Sequence, residues 1–261
     1  MKWFSLRLAM FSTIAALAGF TATRTNAQTP ADDVTVVLVH GAFADGSSWT
    51  KVIPLLEAQG LHVVAVQNPL TSLADDVASV KRAVEAQKGP VVLVGHSWAG
   101  MVITEAGASE RVKALVYVAA FAPDEGQAAG ELLKPYPAPP GLNYPVVDSA
   151  GFMRLADEDI AKYFAPELSS AEANLLVVTQ GPIKAAAFGE KVSVAAWKTK
   201  PSWSIVAEND QMIPPSLERD EAKAIHAKTT FLRSSHVPML SHPKEVAGVI
   251  IEAAASITDG Q

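Results

Sequence analysis

Short apolar runs alternate with helix-patterned segments along most of this chain, and that alternation constrains the fold more than any other feature. The apolar runs lack a polar residue at every second position, which is typical of strands buried on both faces of a sheet. This order predicts an α/β fold, a mostly parallel β-sheet flanked by helices and joined by right-handed crossovers. The predicted strands are 34–40, 61–67, 91–96, 112–120, 202–210 and 229–235, and the predicted helices are 47–60, 72–89, 101–108, 216–228 and 242–257.

A proline-dense segment interrupts the alternation between residues 122 and 200. It contains KPYPAPPGLNYP, which disfavours strands, and several short helix-patterned pieces. One of these pieces opens with Ser169 and Glu172 at the spacing of a capping box. We expect 28–121 and 201–261 to form one core, with 122–200 as a small helical cap inserted after the fourth strand. The cap would lie over the carboxyl edge of the sheet, where open parallel sheets bind ligands.

The stretch VVLVGHSWAG, residues 91–100, places a serine among small residues at the end of a predicted strand. A side chain raised at that point sits in a sharp strand-to-helix turn, where the backbone is strained to positive φ. Strand and helix then approach closely, so only small residues fit at Gly95 and Ala99. Such a turn would present the hydroxyl of Ser97 as a nucleophile. The alternative is a serine that only caps a helix.

A nucleophilic serine needs a base, and the base needs an acid that orients it. In sites of this kind the acid and then the histidine follow the serine along the chain, each after a later strand. His236 is the one histidine of six that stands in a loop just past a late strand. Asp210, deepest in the turn after the fifth strand, is the predicted acid. Asp124, which follows the fourth strand, is the alternative.

Two backbone amides are predicted to bind the oxyanion that would form during acyl transfer. The Trp98 N–H lies at a helix N-terminus directly after the serine. The Ala42 N–H lies in the glycine loop after the first strand, VLVHGAFADGSSW. We expect His40 in this loop to be structural rather than a proton carrier, and Phe43 to flank the acyl pocket.

Together these motifs resemble the α/β-hydrolase superfamily. HGAFADGSSW, GHSWAG, END and SSHVPML occur in that order over about residues 34–257, and they are similar to the small-capped branch of plant methyl esterases, hydroxynitrile lyases and bacterial esterases. The resemblance is strong in the sheet and weak in the cap. It implies an α/β-hydrolase fold, with the catalytic residues Ser97, Asp210 and His236 and the oxyanion-hole residues Ala42 and Trp98.

The chain departs from the family pattern in two informative ways. Ala99 stands at the last glycine of the serine turn, where a single methyl group is tolerable. Lyases of this branch resemble one another in having a lysine after the catalytic histidine and a threonine after the first-strand histidine. Those positions are Val237 and Gly41 here, which favours ester hydrolysis over cyanohydrin cleavage.

The expected function is therefore hydrolysis of a small carboxylic ester through an acyl-enzyme on Ser97. No metal-ligand spacing, phosphate loop or dinucleotide fingerprint occurs, so we expect no cofactor and no metal. The alternatives are a lyase or a cofactor-free perhydrolase on the same triad, and a hydrolase-like ligand-binding protein with little turnover. Five aromatic residues are expected to line the substrate pocket: Phe43, Phe121, Tyr163, Phe164 and Phe188.

The first 27 residues have the pattern of a secretory signal peptide. Lys2 and Arg7 precede an apolar stretch over 8–20, and the segment ends at Ala27. Thirteen helical residues span about 20 Å, short of the ~30 Å hydrocarbon core of a bilayer, so we expect cleavage rather than a membrane anchor. The mature protein would be periplasmic or secreted, with no attachment to the membrane.

Cleavage of this segment also changes the charge of the chain. Removal of its three basic residues leaves 18 basic and 27 acidic residues, a net charge of −9. No basic run remains, so nucleic acid is a poor candidate for a partner. A small-molecule ester is the expected partner, and the sequence leaves the oligomeric state open.

We predict that the exported protein begins at Gln28, because the apolar stretch is too short to span a bilayer and Ala27 suits signal peptidase. N-terminal sequencing of the secreted or periplasmic protein checks this. Exported material that retains Met1 would contradict it.

Overall fold

The structure is a computed structural model that describes Met1 and residues 34–143 and 145–258, and the predicted signal peptide therefore lies outside the described residues apart from Met1. The strands are β1 (Thr35–Val39), β2 (His62–Val66), β3 (Val91–His96), β4 (Val112–Val118), β5 (Val146–Val147), β6 (Phe152–Arg154), β7 (Ile183–Lys184), β8 (Ser202–Ala207) and β9 (Lys228–Leu232). Six of them form one sheet in the order β2-β1-β3-β4-β8-β9. Every neighbouring pair in this sheet is parallel, which confirms the predicted fold class.

The helices are α1 (Ile53–Glu57), α2 (Leu73–Glu85), α3 (Ala99–Ala106), α4 (Ala129–Leu132), α5 (Asp157–Asp159), α6 (Ser170–Thr179), α7 (Pro215–Ala224), α8 (Pro238–Ser241) and α9 (Pro243–Thr258). Ser72 caps α2 by accepting the Asp75 N–H. Ser169 and Glu172 form the complete capping box predicted for α6. Within the described ranges, no helix is both long and apolar enough to cross a membrane.

The predicted helix over 47–60 is wrong in extent. Asp45 caps a short 3-10 turn, Gly46–Trp49, and α1 begins only at Ile53. Pro54 accounts for the separate start, because proline has no backbone N–H and is favoured in the first turn of a helix.

The cap segment, residues 122–200, also differs from the helical cap that the sequence predicted. Besides α4, α5 and α6 it contains β5, β6 and β7, which form a small antiparallel sheet. Val146 pairs with Arg154, and Met153 pairs with Ile183. Strands of two or three residues are too short to show an alternating pattern, so no sequence pattern predicts them.

Backbone segments approach each other closely where β3 turns into α3. Ser97 has φ of 55°, so the strained turn lies where the sequence placed it. A Cβ on Gly95 would lie 2.8 Å from the Ala99 carbonyl oxygen, and one on Gly100 would lie 1.8 Å from that of Phe121. The second residue that must lack a side chain is therefore Gly100 rather than Ala99, because α3 starts against the backbone that follows β4.

We predict that Gly100→Ala lowers the free energy of unfolding by about 3 kcal/mol or more, because the new methyl collides with backbone and not with a movable side chain. Urea denaturation monitored by circular dichroism measures this change.

Gly248→Ala is the matched control. Gly248 is an exposed residue inside α9, and an added Cβ would meet nothing within 4 Å. The same substitution should raise stability there by about 0.5–1 kcal/mol, the difference in helix propensity. Equal effects at the two positions would contradict the close approach at Gly100.

Candidate active site

Three predicted residues meet at the carboxyl edge of the main sheet. Ser97 follows β3, Asp210 follows β8 and His236 follows β9. His236 Nδ1 lies 2.6 Å from Asp210 Oδ2, and His236 Nε2 lies 2.8 Å from Ser97 Oγ. An ionised carboxylate only accepts hydrogen bonds, so Nδ1 carries the proton and Nε2 is free to accept the serine proton. This is the geometry of a nucleophile, a base and an orienting acid.

Backbone hydrogen bonds hold the serine turn in its strained conformation. The Ser97 N–H donates to the Val118 carbonyl at 3.2 Å, and the Phe121 N–H donates to the Ser97 carbonyl at 3.4 Å. Both partners belong to β4 or the loop after it. Neighbouring structure thus fixes the direction in which the hydroxyl points, a common feature of strained residues at active sites.

The structure also distinguishes between the two candidate acids. Asp210 is buried, and its Oδ1 accepts the N–H groups of Met212 at 2.6 Å and Ile213 at 3.0 Å. Asp124 points elsewhere, into a 2.5 Å ion pair with Lys198 that lies about half exposed. The Lys198 hydrogen bond holds the pKa of Asp124 below its usual value. Asp210 therefore contacts the histidine and Asp124 does not.

The two predicted oxyanion donors lie close to the serine. Ala42 and Ser97 line one cavity, and Trp98 follows Ser97 directly. In the part of the chain that the structure describes, neither the Ala42 N–H nor the Trp98 N–H donates to another protein group. Both donors are therefore available to a bound oxygen atom.

His40 braces the loop that carries Ala42. The Asn68 N–H donates to His40 Nε2 at 2.9 Å, so the proton of the ring is on Nδ1, which donates to the Gly41 carbonyl at 2.9 Å. Burial lowers the pKa of His40. Both ring nitrogens are engaged in holding backbone, which agrees with the structural role expected for this residue.

His96 contacts His236, and the sequence analysis did not identify it as a residue of the site. It is fully buried, and its Nε2 donates to the carbonyl of His236 at 2.7 Å. The two imidazole rings lie 4.7 Å apart. Burial lowers the pKa of His96 well below its usual value, so the ring is neutral beside the base. Its position in the GHS turn was the only sequence signal.

Trp98 is held by a buried carboxyl group. Its indole N–H donates to Asp76 Oδ2 at 2.8 Å, and Asp76 Oδ1 accepts the Leu70 N–H at 2.8 Å. Burial raises the pKa of Asp76 to about 6. The Trp98 ring packs against Phe188 of the cap segment, with 5.3 Å between ring centroids. The contact between Asp76 and Trp98 could not be predicted from the sequence, because Asp76 is one of several acidic residues on the amphipathic helix α2.

The cavity over Ser97 is narrow, about 10 Å³, which is room for about one water molecule. Phe43, Phe121 and Phe188 line it as expected. Phe164 does not, because its ring packs edge-on against His236 at 5.2 Å. Tyr163 does not line the cavity either, and Lys162 Nζ lies 4.8 Å from the centroid of its ring. The lining residues that the sequence missed are Leu142, Met212 and Ile213.

Comparison with known proteins places this site in a family. The sequence pattern described as the alpha/beta hydrolase family matches residues 36–249. The chain belongs to the alpha/beta hydrolase family. In this hydrolase, the described residues contain no group of three or more histidine, aspartate or glutamate side chains arranged to hold a metal ion.

Similar members of the family come from plants and bacteria. The hydrolase is 27% identical to salicylic acid-binding protein 2 of Nicotiana tabacum, over 84% of this chain and 96% of that protein. It is 25% identical to methylesterase 1 of Arabidopsis thaliana, over 84% of this chain and 95% of that protein. An extracellular alpha/beta-hydrolase from a Paenibacillus species has the same fold, with a TM-score of 0.70 and 20% identity over 84% of this chain and 98% of that one.

Proposed function

We propose that this alpha/beta hydrolase cleaves small carboxylic esters through an acyl-enzyme, with Ser97 as nucleophile, His236 as base and Asp210 as orienting acid. The observation that carries the proposal is the continuous hydrogen-bonded chain Ser97–His236–Asp210 beside two free amides. The similarity to a protein named methylesterase 1 supports ester cleavage as the reaction.

The reaction follows from the protonation states in this chain. His236 Nε2 takes the proton of Ser97 as Oγ attacks the ester carbonyl, and the imidazolium then gives that proton to the leaving alcohol. Water then attacks the acyl-enzyme, with His236 taking a proton from the water and giving it to Ser97 Oγ as the acid leaves. Asp210 holds the Nδ1 tautomer and stabilises the imidazolium. The N–H groups of Ala42 and Trp98 bind the oxyanion of each tetrahedral intermediate.

The size and lining of the cavity bear on the substrate. A cavity of about 10 Å³ admits no acyl group, so we propose that residues lining it, such as Leu142 and Phe188 of the cap segment, move when an ester binds. The walls that remain are apolar and aromatic. We therefore propose esters with a small apolar or aromatic acyl part as the substrate class.

The position of Gly41 favours hydrolysis over cyanohydrin cleavage. A Cβ there would lie 2.7 Å from the Ser97 Cβ and 2.8 Å from the His96 carbonyl oxygen. This site therefore has no room for the threonine that the related lyases carry. Val237 is buried after His236 and brings no ammonium group.

We further propose export, with cleavage after Ala27. The pattern of the first 27 residues carries this proposal, and an extracellular alpha/beta-hydrolase among the structures of the same fold is consistent with it.

We predict that Ser97→Ala, His236→Ala and their double variant all lower kcat for a chromogenic acetate ester by about 10⁴- to 10⁶-fold, because the two residues act in one proton transfer and their losses do not add. Asp210→Asn should cost somewhat less, because a misoriented base still works at times. Stopped assays of ester turnover, with circular dichroism for the fold, measure this.

Asp124→Asn is the control, with turnover within about threefold of the wild type. If it abolishes turnover while Asp210→Asn does not, the acid is assigned to the wrong strand. If the wild-type protein binds aryl acids but does not turn over the chromogenic acetate ester or other short-chain aryl esters, ligand binding becomes the better functional assignment.

We predict hydrolysis of short-chain aryl esters and no release of cyanide from mandelonitrile, because the described residues that line the cavity include no lysine or arginine to stabilise cyanide as it leaves. A colorimetric cyanide assay beside the ester assay makes the comparison. Cyanide release faster than ester turnover would make the lyase, and not the esterase, the better functional assignment.

A further inference from the structure

The inner face of α7 carries two buried carboxyl groups, Glu218 and Glu221. Glu218 is 2% exposed, and its Oε2 accepts the Ala207 N–H at 2.9 Å, at the end of β8. Its Oε1 is buried and accepts no hydrogen bond from any described residue. A buried oxygen without a partner is uncommon and costly in proteins, so this atom calls for an explanation.

Asp210 lies beside Glu218, because the Asp210 N–H donates to the Ala207 carbonyl at 3.2 Å while Glu218 accepts the Ala207 N–H. A side-chain hydrogen bond with Asp210 raises the pKa of Glu218. Two adjacent carboxyl groups cannot both be ionised in a buried site. Asp210 is the better stabilised anion, because Met212, Ile213 and His236 all donate to it. Glu218 receives a single donor, from Ala207. The shared proton therefore belongs on Glu218.

We propose that Glu218 is a positioning residue that remains protonated and donates its Oε1–H to the Asp210 carboxylate. This hydrogen bond satisfies the otherwise unpartnered oxygen. It also supplies Asp210 with a fourth donor, in addition to Met212, Ile213 and His236. The effect on turnover rests on the proposed function, whereas the proton on Glu218 does not.

The charges around Glu218 agree with a neutral carboxyl group. Burial raises the pKa of Glu218 well above its usual value, and the charge of Asp210 raises it further. Glu221, the other titratable group on this face, acts in the same direction. Arg219 of α7 is paired with Glu208 at the surface, 3.3 Å away.

A neutral Glu218 matters for the base because it keeps the buried acid cluster at one negative charge. A second charge behind Asp210 would strengthen the hold on a proton at His236 and leave less of the free base at neutral pH. The donated hydrogen bond also fixes Asp210 so that Oδ2 faces His236 Nδ1. Glu218 thus acts on Ser97 through two residues and touches no substrate.

Three variants test the proposal. Glu218→Leu removes the donor at similar volume. Glu218→Gln keeps an acceptor for the Ala207 N–H and an N–H donor for Asp210. Glu221→Gln is the matched control, one turn along α7, where burial alone raises the pKa to about 8.

Infrared difference spectra at pH 7 give the readout that needs no ester turnover. The carbonyl band of a protonated carboxyl group should be lost on Glu218→Gln, and a second such band on Glu221→Gln, which is the positive control. If Glu218→Gln removes no protonated-carboxyl band, the proposal is wrong, whether or not the protein is an esterase or the leucine variant folds.

Kinetics then test the positioning role. Glu218→Leu should lower kcat by about 10- to 100-fold, the worth of one hydrogen bond to a charged group, with KM within about threefold. It should also move the acidic limb of the kcat/KM profile to higher pH, because Asp210 loses a donor and holds the imidazolium more tightly. Glu218→Gln should have the wild-type kcat and the wild-type acidic limb of the kcat/KM profile. Glu221→Gln should leave both of these quantities unchanged.

Two results would overturn that role: a folded Glu218→Leu protein with the wild-type pH profile, or a Glu218→Gln protein as impaired as Glu218→Leu. A wild-type protein that turns over no ester would instead remove the proposed function, and the infrared result would still decide the protonation of Glu218.

Discussion

The close approach of α3 to the backbone after β4 is the constraint on which the rest of this site depends. Gly100 has no room for a side chain against Phe121, and Ser97 is bent to positive φ between the two. Because the strand before the turn and the helix after it are both buried, the turn cannot relax without moving the core. The energy of the strained residue is offset by the packing of the apolar sheet around it.

Buried polar side chains surround His236, the histidine that contacts Ser97. His40 and His96 have low pKa values because they are buried, and each donates one ring N–H to a backbone carbonyl. On the other side, Asp210 faces the base, with Glu218 behind it. With Glu218 protonated, as we propose, it adds no negative charge behind Asp210, and a second buried charge there would change the proton affinity of the His236 ring.

Polar contacts tie the cap segment to the loops of the core, in addition to the apolar contacts of Phe188 with Trp98 and of Phe164 with His236. Lys51 contacts Glu172 of α6 at 2.6 Å and the Leu240 carbonyl at 2.9 Å. Glu167 accepts the Ser235 N–H directly before His236. Exposed ion pairs contribute only about 0–1 kcal/mol. The Lys51–Glu172 pair therefore orients the cap segment and adds little to the free energy of its attachment.

The sequence alone determined the features that depend on a few neighbouring residues. Buried strands show as apolar runs, the serine turn shows as small residues around Ser97, and the histidine shows by its place after a late strand. These signals occupy a few neighbouring residues each. The parallel sheet and the meeting of Ser97 with His236 could be predicted from them.

Only the tertiary structure decided the contacts between distant segments. Asp124 and Asp210 both follow strands that are neighbours in the sheet, and the direction of each side chain selected Asp210. The roles of Asp76, His96 and Glu218 likewise depend on which buried atom of a distant segment lies next to each side chain. No local sequence pattern predicts these partners. A hydrogen bond is specified by the position of two atoms to within a fraction of an ångström, and that precision comes from the packing of the whole core.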